Sequence, residues 1–348
     1  GNNTGDISES YDFFRYGVKA DINDTFSVGV LYDEPFGAAA KYSGNSDFVD
    51  NRPAGTGSGN VLDPTSPRSG EGTNVEVRSN NITAIIGAKL GANKNFQVYG
   101  GPVAQRVQAD VKLRGEAYSV ANGYTAHVSP DQDYGYIAGI AYSVPEIALK
   151  AALTYRSEIE HKADISESYP NAFVAGAPAI RNGEIEVTTP KSVNFDFQTG
   201  INPTTLATAK VRWVPWGDFK LTPPLYNQVS KGPTQTGSGL DLVEYEEDQW
   251  QVELGLAKRI APALAVSGTV GWDSGAGDPT SSLGPIDGYY SVGLGAKYNV
   301  TPEWAVSAGG KYLWFGDAKG QIPTGQIVSD FQDNDGYILG MKLSYQSK

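Results

Sequence analysis

The chain carries two imidazoles, His127 and His161, and no thiol. Nucleophilic hydrolysis needs a Ser, Thr or Cys beside a base that a third group holds in place. His127 falls in a polar segment expected to be a loop. His161 follows Glu160 on the face that residue alternation turns outward, away from any cavity. Neither reads as a base, and no enzyme is expected. The lack of cysteine removes disulfide frameworks and thiolate metal centres as well. Asp131-Gln132-Asp133 and Asp333-Asn334-Asp335-Gly336 have the acidic spacing that opens a calcium loop, but neither continues to a closing glutamate. Both are read as loop punctuation with at most an incidental divalent contact, so no metal and no cofactor are expected. Gly293-Leu294-Gly295 lies inside a strand-like run with no helix after it, which excludes a dinucleotide fingerprint. Lys150, Arg156, Glu158, Lys210, Arg212 and Asp273 stand on the polar faces of alternating runs. Such charges either pair with one another or meet a ligand, and an arginine can hold a carboxylate through two parallel hydrogen bonds. Tyr118, Val120, Tyr124, Tyr169, Phe173, Val174 and Ile180 are apolar residues on otherwise polar segments. They would form either a surface that captures an apolar ligand or a self-packed cover.

The elements that must position these residues are strands. Of 348 residues, 20 are Tyr, 12 Phe and 6 Trp, against one Met; Gly numbers 42 and Pro 20. Charged residues make up 19% and hydrophobic ones 40%, and a soluble globule so short of charge would normally hold more Leu, Ile and Met. Abundant aromatic and β-branched residues exclude disorder. No stretch approaches the apolar length of a transmembrane helix. The net charge of -12 argues against a nucleic-acid partner. No signal peptide opens the chain at Gly1, so any export signal is expected to have been removed.

Period-two alternation recurs from one end to the other. One face of the run from Leu149 reads Leu149, Ala151, Leu153, Tyr155 and Ile159; the other reads Lys150, Thr154, Arg156, Glu158 and Glu160. From Trp304, the sets are Trp304, Val306, Ala308, Tyr312 and Trp314 against Ala305, Ser307, Gly309 and Lys311. Tyr337, Leu339, Met341, Leu343 and Tyr345 oppose Gly340, Lys342 and Ser344. Similar runs occur at 11–20, 26–42, 74–90, 95–114, 134–143, 184–199, 206–220, 249–260, 263–273 and 288–298. Many exceed the common globular strand length, and an all-β chain is predicted. Aromatic residues bound the apolar faces, while small or charged residues line the opposite ones. A transmembrane barrel requires that arrangement, whereas a large sandwich or propeller alternates without it.

Short turns at 21–24, 91–95, 143–146, 200–203, 260–262 and 299–302 alternate with long polar segments at 43–73, 115–133, 161–183, 219–247, 274–287 and 316–335. This is the asymmetry of an outer-membrane β-barrel. The runs number thirteen, one short of an even barrel, so a further strand and anything before it are expected to be missing at the amino end.

Ala152-Leu153-Thr154-Tyr155-Arg156-Ser157-Glu158 resembles a strand motif of the long-chain fatty-acid outer-membrane transporter (FadL-like) family. The order that follows is similar too: Asn171-Ala172-Phe173, Gly176-Ala177-Pro178, a strand with Pro190, Trp272-Asp273-Ser274, then Pro285 and Asp287. The resemblance covers nearly the whole chain. It implies a transmembrane antiparallel barrel of fourteen strands, thirteen of them visible here, whose lumen is plugged by an amino-terminal hatch. Residues 1–348 would be one barrel domain without hatch or first strand, so the pocket residues a hatch supplies cannot be named. The loop at 115–133 is also shorter than its family counterpart. In that family, hydrophobic substrates bind first among extracellular loops and leave sideways beside a kink in the third strand. The kink would fall at Pro35, Phe36 and Gly37, within Asp33-Glu34-Pro35-Phe36-Gly37. Proline cannot donate to a ladder and glycine permits a bend; an ordinary strand-end bulge is the other reading. Gly340, Leu343 and Tyr345 resemble the last-strand signal of the outer-membrane assembly machinery, although Gln346-Ser347-Lys348 follow.

The expected function is passive uptake of long-chain fatty acids or aromatic hydrocarbons by a monomer in a Gram-negative outer membrane. Its partners would be those hydrophobic molecules, membrane lipid, lipopolysaccharide and the assembly machinery. A porin for polar solutes and a surface adhesin or phage receptor are the alternatives.

Overall fold

The computed structural model describes residues 15–33, 37–41, 72–113, 123–169, 179–218, 220–230, 243–244, 247–275, 280–281, 288–315, 318–321, 327–331 and 335–346. The first elements are β1 (Arg15–Asp21), β2 (Phe26–Asp33), β3 (Gly37–Lys41), β4 (Asn74–Leu90), β5 (Phe96–Lys112) and β6 (Thr125–Val144). Then come β7 (Leu149–Arg156), β8 (Ile159–Ser168), β9 (Ile180–Thr189), β10 (Ser192–Asn202), β11 (Thr205–Val214), β12 (Lys220–Leu221), α1 (Pro224–Ser230) and β13 (Val243–Glu244). The rest are β14 (Gln249–Ala261), β15 (Leu264–Asp273), β16 (Thr280–Ser281), β17 (Tyr289–Asn299), β18 (Trp304–Phe315), β19 (Ala318–Gln321), β20 (Ile327–Phe331) and β21 (Asp335–Tyr345).

The main sheet runs β1-β2-β4-β5-β6-β7-β10-β11-β14-β15-β17-β18-β21. Every pairing along it is antiparallel, the up-and-down order of a barrel wall. The segment β3 continues β2 along β4, and the hairpin β8–β9 extends β7 and β10 above the sheet. The lower turns close with side-chain acceptors: Asn23 Oδ1 takes the N–H groups of Thr25 and Phe26, each at 2.8 Å, and Thr301 Oγ1 takes that of Trp304 at 3.0 Å. Short polar side chains that mimic a backbone turn are suited to these positions.

Alternation sorts residues by solvent. Val28, Val30, Ile82, Ile86, Leu254, Leu256, Leu294, Met341 and Leu343 are exposed, while Ser27, Ser79, Asn81, Thr83, Gln105 and Ser291 are buried on the opposite face. This inverts a soluble protein, and only lipid covers such an outer surface favourably. Aromatic girdles bound the belt. At one edge Trp272, Tyr290 and Trp314 stand in cross-strand register, and Trp213 faces Trp250 with ring centres 6.4 Å apart. At the other edge Trp304 meets Tyr345 at 4.8 Å and Phe96 meets Tyr142 at 5.0 Å. Trp304 and Trp314 bound a single strand; at ~3.3 Å per residue and a tilt of ~40° they lie about 25 Å apart along the membrane normal.

Some expected loops contain regular structure. The 161–183 segment is largely β8 and β9, β6 begins at Thr125, and α1 stands within 219–247. The strand β8 escapes an apolar pattern because its buried face includes His161 and Glu167 with Ile159, Ala163 and Ile165.

The wall is tight at Gly101. A Cβ there would lie 1.8 Å from the Ala84 carbonyl oxygen, a backbone atom that cannot rotate away. Gly101→Val is therefore expected to destabilise the barrel by about 2–3 kcal/mol, read as a lower urea midpoint for the detergent-folded protein. Gly183→Ala, where a Cβ meets nothing within 4 Å, should leave the midpoint unchanged.

Candidate functional site

The pairing of β2 with β4 reaches Asp33↔Asn81 and resumes in β3 at Gly37↔Arg78. Four steps on one strand therefore cover three on its neighbour, so one surplus residue falls at 34–36, the count of a β-bulge. Pro35 and Phe36 lie outside the described residues; Gly37 opens β3.

Inside the wall, a polar column starts at this step. Arg156 Nη2 lies 3.8 Å from Asp33 Oδ2, with side chains 19% and 22% exposed. Arg156 Nη1 lies 2.7 Å from the Asn81 side-chain amide. Asp33 Oδ1 is buried with no hydrogen-bond partner among the described residues. Gln105, the register partner of Asn81, continues the column. Its Oε1 lies 2.8 Å from His161 Nε2 and accepts from Thr189 Oγ1 at 2.7 Å. His161 Nδ1 lies 2.9 Å from Asp131 Oδ2, and Asp133 stands beside them, a donor atom of each lying within 4.8 Å of the others.

His161 is thus fully buried inside, not turned outward as alternation implied. The cause is a break between β7 and β8. Arg156 and Ile159 both face inward although three positions apart, because Ser157 and Glu158 interrupt the strand. Ser157 closes the break by accepting the Tyr136 N–H on its Oγ at 2.9 Å and donating its own N–H to Tyr136 O at 2.9 Å. Ile159 consequently leaves the outer face and packs with Val103 and Ile137. Glu158 leaves the expected lumenal set: it is exposed, and its charge acts on Tyr155, whose ring pairs with Tyr136 on the outer face. Asp131 and Asp133 are not loop punctuation either, since both lie on β6, two apart and on one face.

The remaining lumenal candidates divide. Lys150 and Lys210 are exposed and Arg212 is half-buried. Asp273 is buried and saturated, accepting from Gln249 Nε2 at 2.8 Å, Gln251 Nε2 at 2.7 Å and the Gly275 N–H at 2.8 Å. That makes it a clasp at the end of β15. Below, a cavity of about 830 Å³ is lined by Gly293, Gly295, Ser307 and Gly309 with Arg259, Lys297, Lys311 and Lys342; its lining among the described residues includes no Asp or Glu. Lys311 reaches Glu253 nearby.

At the mouth, Glu167 holds α1. Its carboxylate accepts from the Tyr124 hydroxyl at 2.6 Å and from the N–H groups of Leu225 at 2.8 Å and Tyr226 at 3.1 Å. A buried carboxylate thereby satisfies the free donors of a helix start. Tyr124 and Tyr169, which would belong either to a capture surface or to a self-packed cover, are 1% exposed. Ile180 is exposed, whereas Tyr118, Val120, Phe173 and Val174 lie outside the described residues. Tyr345 of the last-strand motif faces outward against Trp304, beside outward Leu343; Gly340 faces inward and lines the lower cavity. Alternation alone leaves Asn81, Gln105, Thr189 and Glu167 unmarked, and it marks Asp33 only as the start of the kink segment. Period two carried on through His161, Ala163, Ile165, Glu167 and Tyr169 would have indicated Glu167.

Burial and the Glu167 charge push the Tyr124 hydroxyl far above its ordinary value, and burial pushes Tyr226 up as well. A phenol whose folded pKa is raised stabilises the fold fully below its unfolded pKa, and that contribution is lost as pH climbs beyond it. The α1 anchor should therefore hold through neutral pH and weaken only above about pH 10. Phenolate absorbance during alkaline titration should show tyrosines ionising late, with one fewer in Tyr124→Phe.

A family model described as outer membrane protein transport protein (OMPP1/FadL/TodX) matches residues 56–346. No curated protein sequence matches the chain. Among solved structures, a FadL homologue of Pseudomonas aeruginosa aligns with TM-score 0.70 at 15% identity, covering 95% of this chain and 77% of that one. The toluene transporter TodX of Pseudomonas putida aligns with TM-score 0.58 at 14% identity, covering 96% and 82%. TbuX, a toluene transporter of Ralstonia pickettii, aligns with TM-score 0.54 at 11% identity, covering 92% and 78%.

Proposed function

The chain belongs to the outer membrane protein transport protein family (OMPP1/FadL/TodX), and from that premise we propose a channel that captures hydrophobic compounds at its outer loops and releases them sideways through the wall at residues 34–36. Its place is the outer membrane of a Gram-negative bacterium, and its family is one of transport proteins, not of enzymes. The substrates are long-chain fatty acids or aromatic hydrocarbons, the latter supported by the toluene transporters among its structural neighbours.

The observation that carries the lateral route is the register step between Asp33↔Asn81 and Gly37↔Arg78. A surplus residue accompanied by a proline, which cannot donate to a ladder, suits a place where a strand pair parts. Entry into lipid through the wall removes an apolar solute from water directly. Arg156 is compensated by Asp33, so it positions the wall at the step rather than clamping a carboxylate.

Deleting Phe36 removes the surplus residue and lets β2 and β3 run as one strand. The variant should assemble normally, judged by heat-modifiable gel mobility, yet lose most uptake of labelled toluene and oleate. Undiminished uptake would sink the lateral route. Free ion conductance by the wild type in planar bilayers would favour the porin reading instead.

A further inference from the structure

We propose that Asp131, Asp133 and His161 form a binding site for a divalent transition-metal cation of the zinc type at the top of the barrel wall. One donor atom from each residue lies within 4.8 Å of the others. Ligands held around tetrahedral zinc stand roughly 3.4 Å apart, a contraction that side-chain rotation of two half-buried aspartates supplies.

What points to a cation is the orientation of the buried imidazole. His161 has no exposed surface. Its Nε2 faces Gln105 Oε1 at 2.8 Å, an oxygen that Thr189 Oγ1 holds from the other side at 2.7 Å. Neither Gln105 nor Thr189 belongs to the cluster. With Gln105 Oε1 accepting from Nε2–H, neutral His161 directs its Nδ1 lone pair at Asp131 Oδ2, 2.9 Å away. An acceptor then faces an acceptor, with the Asp133 carboxyl beside both. A proton on Nδ1 resolves the conflict as an imidazolium–carboxylate pair, and a divalent cation taking that proton's place would resolve it with one nitrogen and two carboxylate oxygens as ligands. Metal-bound histidines characteristically donate their other ring N–H to a carbonyl or carboxylate that fixes the tautomer, and Gln105 occupies that place. One nitrogen and two carboxylate oxygens suit zinc, whereas calcium and magnesium take oxygen ligands. Three protein ligands leave a position for water. A bound ion would tie β6 to β8 just above the break at Ser157 and Glu158. This inference is independent of the transport reading.

The test uses the whole protein purified in detergent, stripped with a chelator and titrated with zinc chloride by calorimetry, with X-ray absorption on the loaded sample. One zinc per chain with one imidazole in its shell is expected. His161→Gln and Asp131→Asn should each abolish or sharply weaken binding, and Gln105→Leu should weaken it roughly 10–100-fold. His127→Gln should change nothing, because His127 pairs with Asp110 on the exposed surface. Absence of saturable zinc binding overturns the proposal. So does a spectrum without imidazole, dependence on His127, or magnesium binding as tight as zinc. Should His161→Gln fail to assemble, Asp133→Asn and the wild-type spectrum decide the matter.

Discussion

Arg156→Leu is expected to destabilise the folded barrel by about 2–3 kcal/mol and to impair toluene and oleate uptake alike. Removing one member of a buried ion pair costs about 3–5 kcal/mol because the other charge is stranded. The lower figure allows for the partial exposure of Arg156 and Asp33, 19% and 22%. The stranded carboxylate would sit at the wall step with Oδ1 already lacking a donor among the described residues, and the Asn81 side-chain amide would lose its 2.7 Å neighbour as well. Urea titration of the detergent-folded protein measures the loss. Combining Arg156→Leu with Asp33→Asn should recover much of it, since the uncompensated charge is then gone. Loss of oleate uptake alone, with toluene untouched and stability intact, would mean that Arg156 holds a substrate carboxylate and not the wall.

Glu167→Gln should release α1 from the barrel mouth. The substitution keeps shape but places an amide where the N–H groups of Leu225 and Tyr226 need acceptors. Burying donor against donor costs about 1–3 kcal/mol, more where a charged acceptor is replaced. Hydrogen exchange at 224–230 should rise strongly, and protease should cut within 219–247, while the transmembrane strands keep their protection. Tyr124→Phe removes only the 2.6 Å bond to Glu167 and should loosen α1 by about 1 kcal/mol. Equal protection of α1 in Glu167→Gln and wild type would show that contacts other than the carboxylate hold it.

Much of the wall was legible beforehand. The run 74–90 coincides with β4, and those at 95–114, 249–260 and 288–298 match β5, β14 and β17 to within two residues. Legibility failed above the membrane. There Ile159, His161 and Glu167 share one buried face, so polarity no longer distinguishes inside from outside, and the hairpin β8–β9 passed for a loop.

What the sequence determined by itself is the meander and its orientation toward lipid. Lipid acts on each side chain separately, so Trp304, Val306, Tyr312 and Trp314 declare their face without reference to any distant residue. Only the tertiary structure decided the polar column. Asp33 meets Arg156, and Gln105 meets His161 and Thr189, across separations that no local period records. Tertiary structure also set the sign of the inner face beyond Arg156, because the break at Ser157 and Glu158 reverses alternation. A strand's periodicity reports parity only while its ladder is unbroken. His161 illustrates the difference: alternation turns it outward, and the break brings it to Asp131 and Asp133.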